Sequence, residues 1–230
     1  MAEKEKKDYF GHRHRLRDRF LKSGIEGLAD YEVVELLLTL AVPRSDVKQP
    51  AKELIARFGN LRGILDASLD ELRTVNGIGE VAPVALKVIR SAATKYLQES
   101  AEDRELLLDS SRLSDFWTMR IGTLPYEVFE VAYLDSGYRL LRDGIEQLEE
   151  GTIDRATIYP RRVLEAAVRR GAAAIVLAHN HPNGNVNPSE QDRVITRAII
   201  LAAEAIGVKV IDHMIISSND SFSFRKQGLL

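Results

Sequence analysis

The sequence predicts two domains of different class, an all-α domain over residues 1–100 and a mixed α/β domain over residues 105–230. Three observations carry this expectation. A chain of 230 residues has room for one or two domains. Up to Gln98 the apolar residues recur with a helical period, broken by short polar turns, and no run demands a strand. Beyond an acidic, polar boundary at about residues 100–108, short apolar runs alternate with helical segments, the pattern of strands interleaved with helices.

In the first domain, residues 3–7 read as a mixed-charge mobile tail. Residues 13–21 form a helix stopped by Ser23-Gly24. Residues 28–40 are too densely apolar for a one-faced helix and are expected to be buried, with Val42-Pro43 closing them. A helix over 51–58 ends at Gly59-Asn60, and another over 66–72 has Ser68 as its N-cap. Asn76-Gly77-Ile78-Gly79 is a tight turn before a long helix over 82–98, with Pro83 tolerated in its first turn. In the second domain, 128–134 reads as a buried strand ending at Asp135-Ser136-Gly137. Residues 138–141 and 145–148 read as a hairpin around Asp143-Gly144. A helix over 161–170 stops at Gly171, and 173–179 is apolar on both faces, hence a central strand. A helix over 190–206 is closed by Gly207, and strands follow at 208–216 and 221–224.

The chain is 45% hydrophobic and 29% charged, which fits a soluble globular protein and excludes wholesale disorder. The net charge is −2, so charge alone does not make the whole molecule a nucleic-acid binder. The absence of cysteine excludes disulfides, thiolate metal sites and cysteine nucleophiles, and fits a reducing cytosol. The opening MAEKEKKDYF lacks the apolar core of a signal peptide. No apolar run approaches the roughly 20 residues of a membrane helix. A cytoplasmic protein without a membrane partner is the expectation.

His179 and His181 stand two apart where an apolar strand runs out into a loop of Pro, Asn and Gly. Side chains two apart on a strand share a face, so both imidazoles reach one cation. Ser189, followed three residues later by Asp192, puts a carboxylate in the first turn of the next helix. Two neutral imidazoles and a carboxylate, with a fourth position for water, is the layout of a catalytic zinc site. The plainer explanation of Ser189 and Asp192 is a helix cap with a carboxylate favouring the dipole. The joint occurrence favours His179, His181 and Asp192 as ligands to one Zn2+ per chain.

His-x-His, seven residues, Ser, two residues, Asp resembles the JAMM motif of the MPN/JAB metalloprotease family. The longer string HNHPNGNVNPSEQD, with GTIDRATIYPRRVLEAAVRRGAAAIVLA before it and DHMII at 212–216 after it, is similar to the bacterial RadC family over most of 105–230. Asn183 stands where that family usually has Ser. The resemblance implies an MPN/JAB (JAMM metalloprotease-like) fold and a general-base glutamate at the start of an early strand. Glu127, opening Glu127-Val128-Phe129-Glu130-Val131, matches that place. Glu130 competes, but three residues along a strand it points the other way. Either also fits a charge that blunts an edge strand. Ser189 is the implied donor to a developing oxyanion, a role that competes with capping. His213, inside a strand, is not tied to the metal by spacing and reads as a core histidine, at most adjacent to the ligands.

Val75-Asn76-Gly77-Ile78-Gly79 opening a helix, with FGNLRGILDAS upstream, resembles the hairpin of helix-hairpin-helix DNA-binding domains and the RadC N-terminal region. There two glycines bring backbone N–H groups to a phosphate without reading sequence. Glu80 departs from that pattern by placing an acid at the phosphate position. Residues 13–22 hold five Arg and Lys. Arg13, Arg15, Arg19, Lys22, Gly77 and Gly79 are therefore candidate contacts for weak, sequence-independent DNA binding, against the plain alternative of a solvated basic face and an ordinary turn. The leading expectation is a zinc-dependent JAMM-type hydrolase cleaving an amide or isopeptide bond in an unnamed protein or peptide. The alternatives are a DNA-binding repair or recombination accessory with the MPN domain as scaffold, and a metal-dependent nuclease. The oligomeric state is not legible.

Overall fold

Strong helix formers at the N-terminus carry the first helix further than its apolar pattern reaches. In the computed structural model, which describes residues 2–43, 45–102, 111–151 and 160–230, helix α1 spans Ala2–Ser23. The expected tail at 3–7 is thus helical, as its Ala, Glu and Lys content favours. The chain divides into two compact units, Met1–Ala93 and Thr94–Leu230. Part of the boundary placed at 100–108 lies outside the described residues.

The first unit is wholly helical among the described residues. A 3-10 turn (Ile25–Gly27) follows α1, then α2 (Asp30–Ala41), α3 (Lys48–Phe58), α4 (Leu61–Asp66), α5 (Leu69–Arg73) and α6 (Val81–Glu102). The helix expected at 66–72 is α5, with Ser68 as its N-cap, and the unannounced α4 lies before it. Asn60 caps α4 by accepting the Gly63 N–H at 2.9 Å. Ser68 restarts the chain as α5 through a reciprocal cap with Glu71. Val34, Leu38, Leu54, Ile64, Leu72, Ile78 and Leu86 form the core. Helix α2 also buries two carboxylates, Glu32 and Glu35. Basic side chains of α1 answer them: Arg19 pairs with Glu32, and His12 Nε2 lies 2.9 Å from Glu35.

The second unit opens with α7 (Ser111–Arg120), which the apolar pattern did not announce. Strands β1 (Glu127–Leu134), β2 (Leu140–Gly151), β3 (Ala174–Asn180), β4 (Lys209–Ile216) and β5 (Ser221–Ser223) form one mixed sheet in the order β2-β1-β3-β4-β5. Only β3 and β4 are parallel, and α9 (Glu190–Glu204) connects them. β3 is buried along its length, as its two apolar faces require. Alternation sorts the sheet into two cores. Val128, Ala132, Val176, Ala178 and Met214 face Leu113, Phe116 and Trp117 of α7. Phe129, Val131, Ile175 and Leu177 face Val163 and Ala167 of α8 (Pro160–Arg170) and Ile199 and Ala203 of α9. The result is a three-layer domain with the sheet in the middle.

The hairpin expected around Asp143-Gly144 is displaced. β2 is one long strand, and the chain reverses between β1 and β2 at residues 135–139, where Asp135 accepts the Tyr138 N–H and Tyr138 has φ +58°. Asp143 (φ +51°) and Gly144 lie in a bulge, because Ala132 pairs with Ile145 while Leu134 pairs with Leu140. A Cβ on Gly144 would stand 3.0 Å from the Tyr133 carbonyl, so the glycine serves close backbone approach rather than a turn. Among the described residues no helix is long and apolar enough to cross a membrane.

Candidate metal centre

The site is built where β3 ends and α9 begins. His179, next to last in β3, and His181, the first residue past it, project toward the α8/α9 side of the sheet, the side that Phe129 also faces. The loop between them and α9 holds itself by its own asparagines: Asn185 N–H donates to Asn183 Oδ1 at 2.9 Å and Asn187 N–H to Asn185 Oδ1 at 3.1 Å. Ser189 is the N-cap of α9. Its Oγ accepts the Asp192 N–H at 3.1 Å, while its hydroxyl and backbone N–H donate to Asp192 Oδ2 at 2.6 and 2.7 Å. The cap thereby aims the Asp192 carboxylate back at the histidines.

Two imidazole nitrogens and a carboxylate meet there. His179 Nε2 lies 3.0 Å from His181 Nε2 and 3.2 Å from Asp192 Oδ1, and His181 Nε2 is 3.5 Å from Asp192 Oδ2. Ligands on a tetrahedral zinc at about 2.0–2.1 Å stand ~3.3 Å apart, a spacing close to that between the two imidazole nitrogens and between each of them and one of the Asp192 oxygens. The hydrogen-bond network also fixes the tautomers. Thr196 Oγ1 donates to the Asp192 carbonyl at 2.5 Å, so His213 Nδ1, 2.5 Å from the same hydroxyl, must be the donor there. His213 Nε2 is then an acceptor, and His179 Nδ1–H donates to it at 2.9 Å. His181 Nδ1–H likewise donates to the Asn185 carbonyl at 2.6 Å. Both Nε2 atoms face the Asp192 carboxylate: a proton there makes a hydrogen bond to it, and a metal cation in the proton's place finds two imidazole lone pairs and a carboxylate. The donor set therefore fits a zinc ion.

The electrostatics agree. Burial opposes ionisation of Asp192, but hydrogen bonds from His179 and His181 outweigh it and hold the carboxyl well below the usual range. Burial disfavours a charged His181, yet the Asp192 carboxylate, the Asn185 carbonyl and the Glu127 charge together raise its pKa. His213 is fully buried, and burial with the neighbouring histidines drives its pKa well down, keeping it neutral. Glu127 opens β1 two residues before Phe129, whose ring stacks on His179, so strand alternation puts the two on one side of the sheet. Glu130 lies on the other side, 1% exposed, accepting Trp117 Nε1–H at 3.0 Å and Arg120 Nε–H at 2.8 Å. Asn180, Thr196 and His213 join the site without any spacing signal that names them, except that Thr196 follows Asp192 by one helical turn.

The residues singled out for DNA are placed differently. Arg13 is a correction: it is buried, and its guanidinium donates to the carbonyls of Val42, Pro43 and Ser45, so it holds the α2–α3 connection and is not available to a phosphate. Arg19 is tied to Glu32. Arg15 and Lys22 are exposed. Gly77 (φ +82°) and Gly79 (φ +63°) form the turn before α6 in a conformation glycine favours, and Glu80 beside them pairs with Arg73 at 3.2 Å.

A sheet sandwiched between helices, with His-x-His at a strand end and an acid in the facing helix cap, defines a JAB-type domain. A family model described as RadC-like JAB domain matches residues 107–229, and one described as UPF0758 N-terminal matches residues 10–84. The chain belongs to this RadC-like, UPF0758 family. It is 36% identical to a UPF0758 protein of Fusobacterium nucleatum over 97% of this chain and 99% of that protein. It is 37% identical to one of Burkholderia cenocepacia, over 94% of this chain and 83% of that protein. With one of Burkholderia mallei the identity is 38%, over 92% of this chain and 76% of that protein.

Proposed function

We propose that the chain is a zinc-dependent hydrolase of the JAMM type that cleaves an amide or isopeptide bond with water. The observation that carries the reading is the convergence of two imidazole lone pairs and the Asp192 carboxylate within 3.0–3.5 Å of one another. A zinc ion held there supplies a water acidic enough to ionise near neutral pH and a Lewis acid for the carbonyl oxygen. Glu127 takes a proton from the attacking water and delivers it to the leaving amine. Ser189 donates to the developing oxyanion, for which its hydroxyl leaves Asp192 Oδ2 while its backbone N–H stays on that carboxylate. His213 and the Asn185 carbonyl hold the two ligand rings in the tautomer that presents Nε2.

The test is a metal assay on the purified chain combined with a broad peptide and isopeptide substrate screen. One zinc per chain is expected, lost on His179→Ala or Asp192→Ala. Full zinc occupancy in the His179→Ala/His181→Ala double variant overturns the assignment. A nuclease or scaffold reading has less support: residues 101–230 hold 15 Lys and Arg against 19 Asp and Glu, a balance unfavourable to nucleic acid, and a scaffold has no need of the full ligand set.

A further inference from the structure

The two histidines flank Asn180, which is wholly buried. Alternation along β3 sends its side chain to the α7 side of the sheet, away from the imidazoles. There the amide engages a single segment. Its Oδ1 accepts the Val128 N–H at 2.7 Å, and its Nδ2 donates to the Tyr126 carbonyl at 2.9 Å and, more loosely, to the Leu124 carbonyl at 3.4 Å. Tyr126 and Val128 are the two chain neighbours of Glu127.

We propose that Asn180 is a positioning residue for the Glu127 carboxylate: its side-chain amide locks the backbone on both sides of Glu127 to the strand that carries the two histidines. The inference rests on the reading of Glu127 as the proton acceptor. One donor and one acceptor, opposite in sense, fix the rotation of that backbone as well as its distance. The β1–β3 ladder starts only at Phe129 opposite His179, so at Glu127 the amide takes the place of the missing rungs. The anchor is itself held, because Asn180 is paired with Ile216 of β4. Residues 179–181, at and just past the end of β3, therefore direct two rings to one side and hold the base-bearing segment from the other. Only an amide does this: an aspartate accepts from Val128 but repels the Tyr126 carbonyl.

A merely structural Asn180 alters stability alone, whereas a positioning Asn180 also alters the ionisation that Glu127 governs. Full-length protein loaded with Co2+ distinguishes them, through the pH titration of the metal's visible absorption, with thermal unfolding measured alongside. The variants are Glu127→Gln, Asn180→Ala, Asn180→Ser and Asn180→Ala/Glu127→Gln. Each is expected to bind one Co2+ per chain. Removing the neighbouring negative charge in Glu127→Gln is expected to lower the midpoint by about one pH unit. Asn180→Ala is expected to shift it in the same direction, and the double variant to match Glu127→Gln alone, since the carboxylate to be positioned is already gone. Asn180→Ser, which is uncharged and too short to hold both backbone groups, shifts it likewise and carries the comparison where Asn180→Ala does not fold. A midpoint unmoved in the Asn180 variants, while Glu127→Gln moves it, overturns the positioning role. A midpoint unmoved by Glu127→Gln overturns the role of Glu127, and the inference falls with it.

Discussion

At the scale of single residues, His213 shows how a neutral side chain serves a charged site. It brings no charge, but its Nε2 lone pair requires His179 to keep a proton on Nδ1. His213→Ala is expected to weaken zinc binding about 10- to 100-fold, the usual effect of losing such a partner, as read by chelator competition. The two glutamates of β1 separate in the same concrete way. Glu127→Gln is expected to retain one zinc and lose hydrolysis, because an amide accepts no proton. Glu130→Gln is expected to leave hydrolysis intact and to cost about 1–3 kcal/mol in denaturant unfolding, because it weakens buried bonds to Trp117 and Arg120. His179, His181 and Asp192 were legible in the sequence because a strand end and a helix cap are local patterns. His213 was not, since it meets His179 across 34 residues of chain, and Asn180 reaches Val128 across 52. Such contacts depend on strand order, which no spacing encodes.

At the scale of elements, the N-terminus of α9 couples helix stability to the site. Ser189→Ala is expected to cost about 0.5–2 kcal/mol as a lost cap. It also removes a donor from Asp192, so zinc affinity falls with it. The metal-free protein has a pH window of its own. Asp192 lies below its ordinary value of 3.8, so its contribution is present above that value and is lost as pH falls through the lowered one. His181 lies above its ordinary 6.5, so its contribution is present below 6.5 and is lost as pH rises through the raised value. Thermal unfolding in chelator is therefore expected to show the triad's contribution at its greatest between pH 3.8 and 6.5. Zinc must displace the proton on His181, so calorimetry in buffers of different ionisation enthalpy is expected to show proton release that grows as pH falls through the raised value. Most elements were legible from period and punctuation. The exceptions have local causes: Asp143-Gly144 has the composition of a turn but occupies a bulge, and the short α7 carries its burial on Leu113, Phe116 and Trp117 alone.

At the scale of the whole molecule, three basic residues of α1 serve internal ends. Arg13 binds carbonyls, His12 and Arg19 answer buried glutamates, and Arg15, Arg17 and Lys22 remain on the surface. The full-length protein is accordingly expected to bind duplex DNA only weakly and without sequence preference, with affinity falling as salt rises. In fluorescence anisotropy, charge reversal at Arg15 and Lys22 should flatten the salt slope and Glu80→Lys should tighten binding, whereas Arg13→Ala should register in stability. No binding at roughly 50 mM salt, where such contacts are strongest, assigns the first unit to protein contacts or structure.

Trp117 is the sole tryptophan of the chain, and it is sealed between α7 and the sheet with its indole N–H on a carboxylate. Nature has thus installed one optical probe, in the second unit, while α1 to α6 give the first unit a helical signal with no indole of its own. Emission excited at the red edge follows the sheet domain, and far-ultraviolet dichroism weighs the helices. Melting curves from the two should coincide only where both units unfold in one step, and adding zinc should move the emission curve more than the dichroism curve.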